Sequence, residues 1–144
     1  MSWVNVRAAI KAKLDTLVPA TLGCVLNGEQ DKQSVEIPVW PAAELMRVQT
    51  DPDYLDNKDD MQSYVFAVNL YYPREGSDSA TVEIFMDAII DAVMQAFLDD
   101  ATLGGVVNAR ILPIPNLPGY DTLAGQACRR DSIFLRCRVI KPMA

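Results

Sequence analysis

Three acidic side chains, Glu83, Asp87 and Asp91, recur at four-residue spacing, and Asp51, Asp53, Asp56, Asp59 and Asp60 crowd into one short run. Oxygen ligands this close in sequence suit a hard cation such as calcium, and acids on a helix can build a carboxylate metal face. Neither pattern is complete. In the run, Leu55 stands where an oxygen ligand is needed, Asp56 replaces the turn glycine, and Met61 and Gln62 stand where the terminal glutamate belongs. The helical stripe lacks the histidines with which such sites pair their glutamates, because the chain has no histidine at all. That absence also removes Ser-His-Asp and Cys-His catalysis and the usual general base near neutral pH. No P-loop, G-x-G-x-x-G or G-x-S-x-G occurs, so phosphate cradles and nucleophile elbows lack their backbone. Histidine-based hydrolysis and nucleotide chemistry are therefore not expected, no cofactor and no metal are expected, and an enzyme working with aspartate and lysine alone is left as the least favoured reading.

The same carboxylates suit contact with a basic surface. Like charges at i,i+4 repel slightly, and no lysine interrupts the stripe. Residues 126–144 hold Arg129, Arg130, Arg136, Arg138 and Lys141 against Asp131 alone, a balance of +4 that leaves −10 of the total −6 to residues 1–125. This separation predicts copies docking head to tail, a heterologous contact that closes into a ring or runs on as a filament. Candidate subunit-interface residues are Glu83, Asp87, Asp91, Arg130, Arg136 and Arg138. The plain alternatives are a solvated helix face and an edge strand blunted by charge. A net charge of −6 argues against wrapping nucleic acid, whose binding is driven by cationic side chains.

The elements that must position these groups follow from periodicity. Trp3, Val6, Ile10, Leu14 and Leu17 predict a helix over 3–17, and alternation predicts strands over 20–26 and 42–49, with Pro41 marking the start of the second. Tyr64, Phe66, Val68, Leu70 and Tyr72 lie on one parity of a third strand, and a helix over 77–99 supplies Val82, Phe85, Met86, Ile89, Ile90, Val93 and Phe97 to cover it. Strands over 106–114 and 133–140 follow, the second sending Ile133, Leu135, Cys137 and Val139 inward and Arg130, Ser132, Phe134, Arg136 and Arg138 the other way. The fold class is α+β: one domain over 1–144, a single sheet of about five strands, mixed or mostly antiparallel, with two helices packed on one face. The other face, carrying Val65, Tyr71, Phe134 and the arginines, is expected to be bare and to meet a neighbour. Trp3 and Trp40 read as packing residues. Cys24, Cys128 and Cys137, odd in number and without a C-x-x-C pair, read as reduced thiols. No run is long enough to span a membrane, and the N-terminus lacks a secretion pattern, so a cytosolic protein is expected.

Read together, the elements resemble the tail terminator, or tail completion, proteins of long-tailed bacteriophages, of the lambda minor tail protein type. The resemblance lies in Val6-Arg7-Ala8-Ala9-Ile10 of the first helix, in Trp40-Pro41-Ala42-Ala43 opening a strand, and in the Tyr64 to Tyr72 strand ending in Tyr72-Pro73. It continues through the acidic helix, a tyrosine- and glycine-bearing loop before Arg129-Arg130-Asp131, and the Ile133 to Ile140 strand. It implies a structural virion protein, not an enzyme, that assembles, usually as a hexameric ring, on the last ring of the tail tube. There it stops polymerisation and presents a surface for joining the head. The implied partners are the chain itself, the tail tube protein and the head-tail connector protein. Genomic DNA would pass through without specific binding, and an acidic lumen would suit that passage. The implied location is the tail-neck junction of the virion, and the host cytoplasm during assembly. The loops at 27–38 and 50–60, the second with Asp51, Asp53, Asp56, Asp59 and Asp60, are the docking-loop candidates. A head-tail connector or neck ring protein is the alternative within this class, and an acidic module imitating DNA the alternative outside it. The arginine strand has no place in a DNA mimic, which would also be far more acidic.

Overall fold

A row of apolar residues on one parity of a strand needs a cover, and β3 (Met61–Pro73) receives it from two helices. The computed structural model describes residues 3–18, 20–26, 40–48, 61–73, 79–105, 112–115, 119–123 and 125–140. Ahead of β3 come α1 (Trp3–Asp15), β1 (Cys24–Leu26) and β2 (Ala42–Arg47). After it come α2 (Ser79–Asp99), a 3-10 turn (Leu103–Gly105), β4 (Leu112–Pro115), β5 (Gly119–Leu123) and β6 (Gln126–Ile140).

The sheet order is β1-β2-β3-β6-β4, and β5 also pairs with β6. Among the described strands only β1 and β2 run parallel; the other pairs are antiparallel. Because β3 occupies one side of β6 along nearly its whole length, β4 and β5 share the opposite side. The expected α+β arrangement is therefore present, a mixed and mostly antiparallel sheet under two helices. Several bounds differ. The segment read as a strand over 20–26 is strand only in its last three residues. β4 is described only from Leu112, with 106–111 outside the described residues. β5 adds a strand inside the stretch read as a loop, and β6 begins seven residues before Ile133. Gly125, at φ 78°, makes the turn between β5 and β6, which is the cost-free use of glycine that a tight hairpin needs.

One core lies between the helices and the sheet. From α1 it takes Val6, Ile10 and Leu14, spaced four apart on one helical face. From α2 it takes Val82, Met86, Ile89, Val93 and Phe97, and from the sheet Ala43, Leu45, Tyr64, Phe66, Val68, Leu70, Ile133, Leu135 and Cys137. Arg7 lies across the edge of this core, its guanidinium 5.3 Å from the Phe66 ring centroid and its Nη1 donating to the Leu45 carbonyl at 3.1 Å. Lys13 of α1 reaches Asp100 just beyond α2 at 3.7 Å, which ties the two helices together at one end.

The far face of the sheet departs from expectation. It is not bare: Tyr71, Leu26, Ala42, Leu123 and Cys128 form a second buried cluster, with Cys24 and Trp40 packed against it. Leu123 comes from β5, the strand that apolar alternation did not reveal, so the missing element was also part of the missing cover. Val65 and Phe134 are half-buried on the same side. Trp40 is a packing residue as expected; the Trp3 side chain lies outside the described residues.

Phe66 is wholly buried and carries both helix packing and the Arg7 contact, whereas Val4 is 72% exposed. Phe66→Ala is expected to lower stability by about 3–5 kcal/mol, measured by urea denaturation, while Val4→Ala leaves the midpoint unchanged.

Candidate functional site

Strand parity decides which charges of β6 meet the helices. Arg129 and Asp131 share the parity of Ile133 and Leu135 and so lie on the helix side; Arg130, Ser132, Phe134 and Arg136 lie on the far side. Arg129 Nη1 donates to Glu83 Oε1 of α2 in a part-buried ion pair, and Arg129 Nε faces Asp131 Oδ2 at 3.4 Å. The carboxylate stripe is thus answered at its first member from within the chain, where the sequence reading offered Glu83 to another copy. The reason is long-range: β6 lies beside β3 beneath α2, and that pairing brings Arg129 across 46 residues of sequence to Glu83.

The balance of charge around Arg129 is unequal. Burial works against its guanidinium, but Glu83 and Asp131 outweigh that and raise its pKa. Asp131 bears the larger burden. Burial raises its carboxyl above the ordinary range, Arg129 opposes this, and Glu83 and Asp87 push it further up. Asp87 and Asp91 stand exposed on α2 and make no ion pair among the described residues. Ile84, 72% exposed, accompanies them on the outer side of α2, and Phe85 packs its ring against Tyr72 with centroids 4.7 Å apart.

On the far face, Arg130 Nη1 lies 3.4 Å from Asp121 Oδ2 of β5. Gly119, its register partner, makes room: a Cβ there would stand 3.1 Å from the Arg130 guanidinium. Beside it runs a buried polar chain that links three strands. Ser132 Oγ donates to Asn69 Oδ1 at 2.6 Å, Asn69 Nδ2 donates to Glu44 Oε1 at 3.1 Å, and the Tyr71 hydroxyl donates to the same oxygen at 3.2 Å. Burial, then the neighbouring Glu44 charge, drives the Tyr71 pKa far up, so this hydroxyl stays a donor at any ordinary pH. Arg136 is half-buried on this face. Arg138 continues its parity opposite Ser63, but its side chain lies outside the described residues. Asp51, Asp53, Asp56, Asp59 and Asp60, and the whole of 27–38, also lie outside them. Among the described residues no cluster of acids, cysteines or histidines is arranged to hold a metal ion.

No family model matches this chain, and no curated protein does. A solved structure 18% identical to it aligns over 100% of this chain and 99% of its own, at a TM-score of 0.48. No helix among the described residues is long and apolar enough to cross a membrane.

Sequence reading brought Glu83, Asp87 and Asp91 to one helix flank and Arg130 and Arg136 to one sheet face, and both groupings hold. It passed over Arg129, Asp131, Glu44 and Tyr120. For Arg129 and Asp131 a signal existed, since both share the odd parity of Ile133, Leu135 and Cys137 and so had to face the helices.

Two outcomes follow. Asp131 has a folded pKa above its unfolded one, so its ionised form opposes folding, and stability from this group rises as pH falls through the raised value toward 3.8. Asp131→Asn is therefore expected to be at least as stable as the parent at pH 7, and Glu83→Gln less stable, both by urea midpoint. The three free thiols should differ as well. Burial holds Cys128 at about 11 and Cys137 at about 12, while Cys24 is half-buried. At pH 8 a thiol reagent is expected to label Cys24 first, and the other two only on unfolding.

Proposed function

We propose that the protein is a structural component of a phage virion. In this reading it forms a ring on the end of the tail tube, stops tube polymerisation and offers the surface to which the head is joined. It performs no chemical reaction. The carrying observation is that opposite charges stand on opposite outer faces of one molecule. Asp87 and Asp91 lie on the outer side of the helix layer, and Arg130 and Arg136 lie on the far side of the sheet. A rigid sandwich cannot bring those faces together within one copy, but a head-to-tail row of copies can. The resemblance of the element order to tail terminators supports the same reading, as does the absence of any histidine-based catalytic set.

Physically, a cap needs unlike faces along the tube axis and like-to-unlike contacts around it. Charge separation around the ring supplies the second and steers assembly before apolar contact is made. Withholding the docking surface from the next tube subunit supplies the stop, because a partner that finds no complementary patch gains nothing to offset the cost of association. Of the stripe, Asp87 and Asp91 are the members available for that contact, since Glu83 already holds Arg129.

Light scattering of the purified chain, alone and with tail tube protein, is expected to show a multiple of the monomer that dissociates as salt is raised. Asp87→Lys with Asp91→Lys should remain folded by circular dichroism yet stay monomeric. A parent protein that is monomeric at every salt concentration, with tube protein present, would remove the ring reading.

A further inference from the structure

A strand at the rim of a sheet presents outward N–H and C=O groups on which another chain can pair, and β2, β4 and β5 each have such a rim. Each is closed by a different device. β1 pairs with β2 only as far as Glu44, and no described strand continues along that side. The Val48 N–H donates to the Val65 carbonyl at 2.9 Å, and the alternation of an antiparallel ladder then turns the Leu45 carbonyl outward, away from β3. Arg7 of α1 takes it: Nη1 donates to that oxygen at 3.1 Å, with the guanidinium 5.3 Å from the Phe66 ring centroid. β4 is closed by composition. Pro113 and Pro115 have no N–H, so they occupy the positions turned away from β6 while Leu112 and Ile114 carry the ladder, and the outer rim has no donor over that length. On β5 the Thr122 N–H donates to Asp121 Oδ1 at 2.8 Å instead of to a strand, and Arg130 lies 3.4 Å from the other oxygen of that carboxylate. β1 is only three residues long, which is itself a protection.

We propose that these contacts stop the sheet from growing by strand addition, and that Arg7 is the guard of β2, holding off the same edge of a second copy. A second copy is the occupant because the edge is its own complement: two antiparallel β2 strands can exchange the same backbone groups about a two-fold axis. A guanidinium suits the post better than an apolar cap. It satisfies the carbonyl and also places a charge there, which must be desolvated before an incoming strand can pair. This role is independent of the ring reading, whose contacts lie on the outer faces of the sandwich and not on its edges.

Sedimentation velocity across a concentration series in about 1 M salt, where screening acts over about 3 Å and charge-driven contacts between copies are suppressed, tests this. The parent is expected to be monomeric there. Arg7→Met keeps a stem against Phe66 but loses the donor, and is expected to strengthen self-association about tenfold or more, with hydrogen-exchange protection gained over residues 42–48. Lys11→Met removes an equal charge from the same helix and should behave as the parent. Pro113→Val with Pro115→Val gives β4 two outward donors and should associate likewise, gaining protection over residues 112–115. If Arg7→Met stays monomeric with the parent's circular dichroism, or loses its fold, Arg7 is a packing residue and not a guard. If Lys11→Met associates as strongly, or the protection appears away from 42–48, lost charge and not an opened edge is responsible, and the role is again overturned. A parent already associated at that salt through 42–48 would show the edge open in spite of Arg7, and a proline double variant that stays monomeric would remove the assignment for β4.

Discussion

The antiparallel pairing of β3 with β6 is the constraint on which the other arrangements depend. It runs from Met61 opposite Ile140 to Pro73 opposite Cys128 and sets the two strands' parities in phase. Phe66 stands beside Leu135 and Val68 beside Ile133, so one continuous apolar surface faces α1 and α2. A slip of one residue would turn Arg130, Ser132 and Arg136 toward the helices and expose Ile133 and Leu135. Burying unpaired guanidinium groups under apolar helices would cost far more than any contact on the far side could return. The register is therefore set by the core, and every charge on β6 takes its place from it.

The polar groups buried on the far face of the sheet reinforce that register. Ser132 on β6, Asn69 on β3 and Glu44 on β2 form a hydrogen-bonded chain that exists only when the three strands are aligned as they are. Each bond contributes little net stability, because water would satisfy the same groups in the unfolded chain. Misalignment would instead leave buried polar atoms without partners, so the chain discriminates among registers more than it strengthens the correct one. The Glu83 and Arg129 pair acts in the same way between layers, fixing α2 against β6 at one end while Lys13 and Asp100 connect the helices at the other.

This internal use of charge changes what the surface can offer. Read along the chain, an acidic helix and a basic strand look like two separate patches. In space they interleave: one arginine serves the helix layer, the next lies against Asp121 on the far face, and the carboxylates left on the outside are Asp87 and Asp91. The acidic face left on the outside is smaller than the charge pattern implied, and Ile84 is exposed beside it.

The α+β class, the two helices and their inward faces, and the strand over Tyr64 to Tyr72 were legible in the sequence, because periodicity reports directly on burial. The histidine-free composition was equally legible and removed whole classes of chemistry without any coordinates. β5 was not, since Gly119 to Leu123 carries no apolar alternation and is a strand only because β6 is there to pair with it. The burial of Tyr71 and of Glu44 was also decided in three dimensions, by neighbours distant in sequence. The partnership of Glu83 with Arg129 lies between these cases. Parity alone sent Arg129 toward the helices, but which acid it would meet depended on how α2 lies across β6, and a packing angle leaves no periodic trace in a sequence.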